Sequence, residues 1–472
     1  FLTMGVIILV GFAALGVRGC ETRPKTFATN LAVTALAAVL LLPNIPMIEN
    51  FANLQIISSE KGYLLSFVSF IRMGKVTRPA GYSTDAVREI LETATTGTAN
   101  DTSAEHVASS TPNIIVIMDE AFADLPDIFG FLTTEDVLPH IHAMSENTVH
   151  GRLLTSVYGG GTANTEYEFL TGNSLHYFPV GCSPYVQYLG SEQQSLAWRL
   201  EHLGYESAAY HPYLGISYRR EEAYPLLGLE PFYTIDDELP HESYIRSYIS
   251  DQADFDNIIS LYENRNPDQP FFLFNVTMQN HGGFATEDYG LDLSLRPIDS
   301  RLQNDGLLEY LYLIHETDAA FASLVDYFSQ VEEDTIILLF GDHQPSMDQD
   351  VIETMGQIVL DREGVEDDQR YYYSTFVIWA NYDIQEERNV LSSPNYLRAL
   401  LLDTAGVETN AFERFLLNMS REYPAINAYG YLDAQGNWSF RSDEEDGFLR
   451  DYHYLVYQNV FDKKNMESGY YE

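Results

Sequence analysis

The chain has 472 residues, 45% of them apolar, which is more than one minimal domain needs and enough for a large core with attachments. Its 26 Lys and Arg stand against 69 Asp and Glu, a net charge of −43. That balance excludes the basic footprint of a nucleic-acid binder and argues against docking the soluble surface on anionic lipid. A solvated, salt-tolerant surface accounts for it; the sharper reading is that the acids gather divalent cations.

The first residue is Phe and the chain opens in apolar sequence, so it reads as a fragment whose N-terminus lies upstream. Residues 1–17 and 27–48 are apolar stretches, each about long enough to cross a bilayer, with Pro43 and Pro46 near the end of the second. A buried core helix is the competing reading, more so for the second stretch. The connector 18–26 carries Arg18, Arg23 and Lys25 against Glu21, which puts it on the cytoplasmic side and everything after the second span outside. Cys20 and Cys182 then lie on opposite sides, so no disulfide framework is expected. Residues 49–110 read as a helical linker, with helical spacing over 86–92 and a Thr/Ser/Ala-rich loop over 94–110. The catalytic domain is expected over 111–435 and a peripheral, acidic and aromatic tail over 436–472.

Within that domain, short apolar runs at 114–118, 271–276, 335–340 and 375–379 read as buried strands, and 194–203 and 306–331 as helices. The alternation predicts an α/β sandwich with a mostly parallel sheet. Ligands of such sheets gather beyond the carboxyl ends of the strands. Three of these strand ends deliver chemistry: Asp119 and Glu120; Thr277, Gln279, Asn280 and His281; Asp342 and His343. Singly, each has a plain explanation as a helix cap or loop residue. Together, Glu120, Asp342 and His343 make a plausible set for Mn²⁺, with Mg²⁺ or Zn²⁺ also fitting. A further oxygen ligand is wanted. Three glycines at 159–161, after a strand-like 152–157, precede Thr162 at what could be a helix start. A hydroxyl there could ligate metal and act as nucleophile, although on the residues alone an N-cap in a tight turn explains it.

Four blocks then resemble a family. Pro-Asn-Ile-Ile-Val-Ile-Met-Asp-Glu over 112–120, Gly-Thr-Ala-Asn-Thr-Glu-Tyr-Glu-Phe over 161–169, Thr-Met-Gln-Asn-His over 277–281 and Phe-Gly-Asp-His over 340–343 are similar, in order, to the signature blocks of lipoteichoic acid synthases. These are polyglycerol-phosphate synthases of the sulfatase branch of the alkaline phosphatase superfamily. The resemblance implies a sulfatase-like catalytic fold outside the cell, anchored by transmembrane helices. It implies that Glu120, Thr162, Asp342 and His343 bind one Mn²⁺, that Thr162 is the nucleophile and that His281 contacts the phosphate. His211-Pro-Tyr and Tyr218-Arg-Arg220 resemble the family's headgroup-binding region more loosely; Arg220 would match its arginine and Tyr218 its tryptophan, with Arg219 an alternative. Thr165 competes with Thr162 but lacks the preceding glycines. Cys182-Ser-Pro-Tyr-Val186 begins like the sulfatase formylglycine motif, but Val186 stands where that motif needs Arg, so Cys182 reads as structural.

The implied reaction moves glycerophosphate from phosphatidylglycerol to a glycerolipid or polyglycerol-phosphate acceptor through a Thr162-linked intermediate, at the outer face of the cell membrane. Rivals are a phosphodiesterase, phosphatase or sulfatase on the same fold, a transferase of phosphoglycerol or phosphoethanolamine onto a glycan, and a non-catalytic receptor or scaffold.

Overall fold

In a computed structural model, residues 76–96, 111–285, 287–364, 367–442 and 445–470 are described. Both expected membrane spans, their connector and the stretches 49–75 and 97–110 lie outside these residues. Among the described residues no helix is long and apolar enough to cross a membrane.

Ten strands build the sheet and its hairpin: β1 (Asn113–Asp119), β2 (Thr148–Leu154), β3 (Glu206–His211), β4 (Phe232–Thr234), β5 (Tyr244–Ile245), β6 (Tyr248–Ile249), β7 (Phe271–Val276), β8 (Thr335–Gly341), β9 (Tyr373–Ala380) and β10 (Glu387–Ser392). β5 and β6 form a hairpin of their own, and the other eight make one sheet in the order β10-β2-β9-β8-β1-β7-β3-β4. Every pairing in it is parallel except the two made by β9. The four runs expected as buried strands are β1, β7, β8 and β9. The strand expected at 152–157 is β2, which begins earlier because its register with β9 pairs Thr148 through Leu154.

The helices that cover the sheet are α1 (Thr84–Thr96), α2 (Thr162–Thr171), α3 (Asp251–Glu263), α4 (Asp305–Ser329), α5 (Gln349–Glu363), α6 (Pro394–Thr404), α7 (Ala411–Glu422) and α8 (Gly447–Phe461). Alternation along a strand sorts the core into two layers. Ile114, Val116 and Met118 face the layer filled by α2, α6, α7 and α8. Ile115 and Ile117 face the layer filled by α3, α4 and α5. Helices on both faces are why these strands are apolar at every position. The predicted helix at 306–331 is α4, capped by the Asn304 side chain accepting from the Leu307 amide. The one at 194–203 spans Leu196–His202.

Two segments differ from expectation. The stretch after 440 is not a peripheral tail: α8 buries Leu449, Tyr452, Val456 and Val460 in the first core layer. Their spacing of three and four residues is helical; the acidic, tyrosine-rich composition concealed it. Tyr452 donates to the Gly172 carbonyl (2.6 Å) and accepts from Asn395 (3.0 Å). Part of the expected linker belongs to the domain as well. α1 buries Val87 and Leu91, Tyr82 bonds Asp462 at 2.9 Å, and 77–472 forms one compact unit.

If α8 is core, Leu455→Ala, at a fully buried position, should cost about 2–5 kcal/mol in urea unfolding, whereas a peripheral segment would lose less than about 0.5.

Candidate functional site

Because β1, β7, β8 and β3 run parallel, their C-terminal ends share one edge; Glu120, His281 and Asp342–His343 follow there, and His211 is the last residue of β3. The closest approach is between β1 and β8. Gly341 must be glycine, since a Cβ would lie 1.8 Å from the Phe122 carbonyl oxygen. The turn after β1 can therefore lie against Asp342. Asp342 Oδ1 accepts from the Ala121 and His343 amides (2.8 and 2.9 Å). The Glu120 amide donates to the Thr277 hydroxyl at 3.1 Å, tying β1 to β7.

Thr162 arrives by a different route. Gly159, Gly160 and Gly161 all have positive φ (63°, 146° and 96°), a run open to glycine and costly for other residues. Gly161 caps α2 in the left-handed conformation, so Thr162 is the first helical residue and not the N-cap. Its hydroxyl donates to Glu120 Oε2 at 3.3 Å.

Glu120, Asp342 and His343 each offer a ligand atom, the three within 4.8 Å of one another, and all three side chains are buried. His343 Nδ1 lies 2.9 Å from the Gln344 carbonyl, which can only accept, so that nitrogen carries the proton and Nε2 presents a lone pair. Nε2 faces Asp342 Oδ2 at 3.1 Å and Glu120 Oε1 at 3.8 Å. Neither Nε2 nor Oδ2 has a hydrogen-bond partner. Two buried lone pairs in apposition repel unless a cation or proton lies between them. Oxygen and imidazole donors about 3 Å apart fit the edge of a coordination sphere with bonds of about 2.0–2.2 Å. Burial pushes the Asp342 carboxyl up to about 6, with Glu120 adding to the rise and His343 opposing it. For His343 burial opposes the charged form, but Asp342 and Glu120 outweigh it and its pKa rises. Glu120, Asp342 and His343 fit a divalent cation, and the Thr162 hydroxyl stands beside Glu120.

The other candidates fall around this centre. His281 Nδ1 lies 3.1 Å from the Tyr248 hydroxyl. Its pKa is lowered, first by burial and then by the neighbouring His343 and Arg246. Tyr218 lies beside the site: its phenol feels Glu120 and Asp342 and is hydrogen-bonded to the Gly161 backbone. Arg220 and His211 are buried behind it. Arg220 is paired with Glu166, and its Nη1 lies 3.1 Å from His211 Nε2. His211 Nδ1 donates to the Val276 carbonyl (2.7 Å), so both ring nitrogens are engaged within the protein. Arg219 turns outward to Glu222. Thr165 spends its hydroxyl on the Asp342 carbonyl at 2.7 Å, and Cys182 is buried with its thiol pKa raised by burial.

Sequence reasoning missed Tyr248 and Arg246. Arg246 pairs with Glu309 (3.1 Å) and donates to the Gln279 and His281 carbonyls (2.8 and 2.6 Å), anchoring the His281 loop. No motif marks them, because a two-residue hairpin brings them in. Glu166 and Glu168 were quoted only as part of a block. Glu168 accepts from the Ser156 hydroxyl (3.0 Å) and the Leu175 amide (2.7 Å), binding the glycine loop to α2.

Two measurements test this geometry. Calorimetric titration with Mn²⁺ should show one tight site that Asp342→Asn or His343→Ala weakens by about 100-fold or more. Burial raises the Glu168 pKa from 4.5 to about 7. The folded state therefore holds a proton that the unfolded state has lost between those values. The resulting stability is complete below pH 4.5 and is lost as pH rises through 7. The stability difference between wild type and Glu168→Gln should accordingly shift in favour of the variant by up to about 3 kcal/mol between pH 4.5 and 8.

Comparison with known proteins agrees with the fold. The Sulfatase family profile matches residues 112–407. A Rhizobium meliloti protein named for cyclic beta-1,2-glucan modification is 28% identical over 420 residues, which is 87% of this chain. The chain spans 63% of that protein's length. Among solved structures, the Streptococcus pyogenes phosphoglycerol transferase GacH, in complex with sn-glycerol-1-phosphate, superposes with a TM-score of 0.66 at 20% identity, over 83% of this chain and 97% of that one. The lipoteichoic acid synthase LtaP from Listeria monocytogenes gives 0.57 at 15% identity, over 80% and 97%. The two structural likenesses bear on the fold, and the profile covers more than half of the chain: it belongs to the sulfatase family, within the alkaline phosphatase-like α/β sandwiches.

Proposed function

We propose that the chain is a metal-dependent phosphotransferase that moves glycerophosphate from a glycerophospholipid such as phosphatidylglycerol to a hydroxyl acceptor, with Thr162 as nucleophile. The observation that carries this reading is the hydroxyl of Thr162, at a glycine-capped helix start, beside three buried metal-ligand side chains with unpaired donor atoms.

Glu120, Asp342 and His343 would hold the cation, with the Thr162 oxygen. When bound, it would supply Lewis acidity toward the hydroxyl and a phosphoryl oxygen. The remaining parts belong to the chain. The N-terminus of α2 directs its positive end at the phosphoryl group. His281, held through Nδ1 between the Tyr248 hydroxyl (3.1 Å) and the Gly282 carbonyl (3.3 Å), would meet a phosphoryl oxygen through Nε2. Arg220, neutralised in part by Glu166, holds Tyr218 through its ring, 5.3 Å from the guanidinium carbon. Thr162 Oγ attacks phosphorus as the bond to the diacylglycerol oxygen breaks, and the proton that the Thr162 hydroxyl gives up is matched by the one the leaving oxygen takes. Positioning and fixed charge of this kind are most of what phosphoryl transfer requires.

The likeness to GacH and LtaP supports glycerophosphate as the group transferred, and the family resemblance supports a glycerol-terminated acceptor and anchoring at the outer face of a membrane. A second reading, transfer onto a glycan, is favoured by the glucan-modifying relative, which aligns with 87% of the chain.

With labelled phosphatidylglycerol, Thr162→Ala should lose more than about 1000-fold of the transfer rate while still binding Mn²⁺, and Thr162→Ser should retain part of it. Transfer by the Ala variant at the wild-type rate would remove Thr162 from the chemistry.

A further inference from the structure

One strand of the sheet runs against its neighbours, and the residues at its start hold the loops that follow β1, β2 and β8. Because β9 is antiparallel to β8 and β2, it begins at the edge where those strands end. The Tyr372 carbonyl accepts from the Thr155 amide (2.8 Å), ahead of the glycine loop. The Ser374 hydroxyl donates to the Gly341 carbonyl (2.7 Å), just before Asp342. The Thr375 hydroxyl accepts from the Asp124 amide (3.0 Å), on the turn after β1. Between them, the Tyr373 carbonyl accepts from the buried Gln344 side chain (2.7 Å), which also donates to the Arg370 carbonyl (2.5 Å).

Gln344 is engaged at both ends. Two carbonyls, which can only accept, fix its amide nitrogen and so the orientation of the side chain. Its own carbonyl oxygen has two lone pairs, and both are taken: His343 Nδ1 donates at 2.9 Å and the Gly159 amide at 3.1 Å. The first bond sets the tautomer that turns His343 Nε2 toward Asp342 and Glu120. The second holds the first of the three glycines that lead to Thr162. A Cβ at Gly159 would lie 3.0 Å from Ser346 Cβ, so the two loops meet closely there. Pro345 follows Gln344, which restricts it to extended backbone and limits where its carbonyl can point.

We propose that Gln344 is a positioning residue that couples the candidate metal centre to the nucleophile. One carbonyl, held by the side chain of its own residue against the start of β9, orients the His343 imidazole and the glycine loop together. This rests on the reading of Thr162 and the cation given above, and adds to it a residue that acts through both. Loosening Gln344 disturbs cation affinity and Thr162 placement at once, whereas a residue that only fills the core would lower stability alone.

The test uses the full chain and Gln344→Met, which keeps the length of the side chain and removes both N–H donors. Gln344→Asn is a milder change that carries the test should the first variant not fold, and urea unfolding establishes that each is folded. Mn²⁺ affinity, by calorimetric titration, should fall about tenfold or more. Amide exchange over 157–162, followed by mass spectrometry, should speed up about tenfold or more while exchange over α8 stays at the wild-type rate. With Mn²⁺ saturating, kcat for diacylglycerol release from labelled phosphatidylglycerol should drop about 10–100-fold, with KM changed less than about threefold. The proposal is overturned if a folded variant keeps its Mn²⁺ affinity within about twofold of wild type, or if its exchange over 157–162 is unchanged. A wild-type chain that releases no diacylglycerol would remove the transferase reading instead, and the titration and the exchange would still decide the coupling.

Discussion

Two lone pairs that cannot coexist without a positive charge between them, on Asp342 Oδ2 and His343 Nε2, are the constraint around which this molecule is arranged. Neither atom can turn away. The other oxygen of Asp342 is saturated by two backbone amides, and the other nitrogen of His343 is bound to the Gln344 carbonyl. Both side chains are buried, so water cannot relieve the conflict cheaply. Glu120, Asp342 and His343 each turn a ligand atom to this point, and the set fits a divalent cation.

The layer beneath the site avoids adding to that charge. Asp119, Asp251 and Asp254 are fully buried, and burial raises the pKa of each, that of Asp251 to about 7. Burial favours the neutral form of these carboxyls, and the side chains still make hydrogen bonds. Asn280 donates to Asp119 (2.7 Å) and to Thr317 (3.0 Å), and Asn275 donates to Asp254 (2.8 Å). These contacts fasten the end of β7 to β1 and to α3 and α4. The block around His281 thus serves two ends: Asn280 points into the scaffold and His281 emerges beside the reacting centre.

The opposite flank is built from short pieces. The loop after β3 and the hairpin of β5 and β6 have little regular structure, yet left-handed residues and Arg246 fix them against the His281 loop. Rigid scaffold below and fitted loops above is the usual division between shared chemistry and substrate choice.

Much of the scaffold was legible in sequence because it is local. Continuous apolar runs at 114–118, 271–276, 335–340 and 375–379 are of strand length and read as strands buried on both faces, and polar residues at their exits share an edge if the strands are parallel. The antiparallel course of β9 was not encoded in its own residues, since an apolar run reads alike in both directions. Composition concealed α8, whose apolar spacing was present but lay among acids and tyrosines. Residue identity named Glu120, Thr162, Asp342 and His343 through the family blocks. It could not show that Thr162 Oγ stands 3.3 Å from Glu120, because that distance depends on glycine conformations and on the close approach at Gly341. Nor could it show that Glu166 would engage Arg220 or that Tyr248 would reach His281. Sequence determined which segments are apolar, which can turn and which carry ligand atoms, all properties of neighbours in the chain. Which of those atoms face one another across 42 or 222 residues was decided by packing alone.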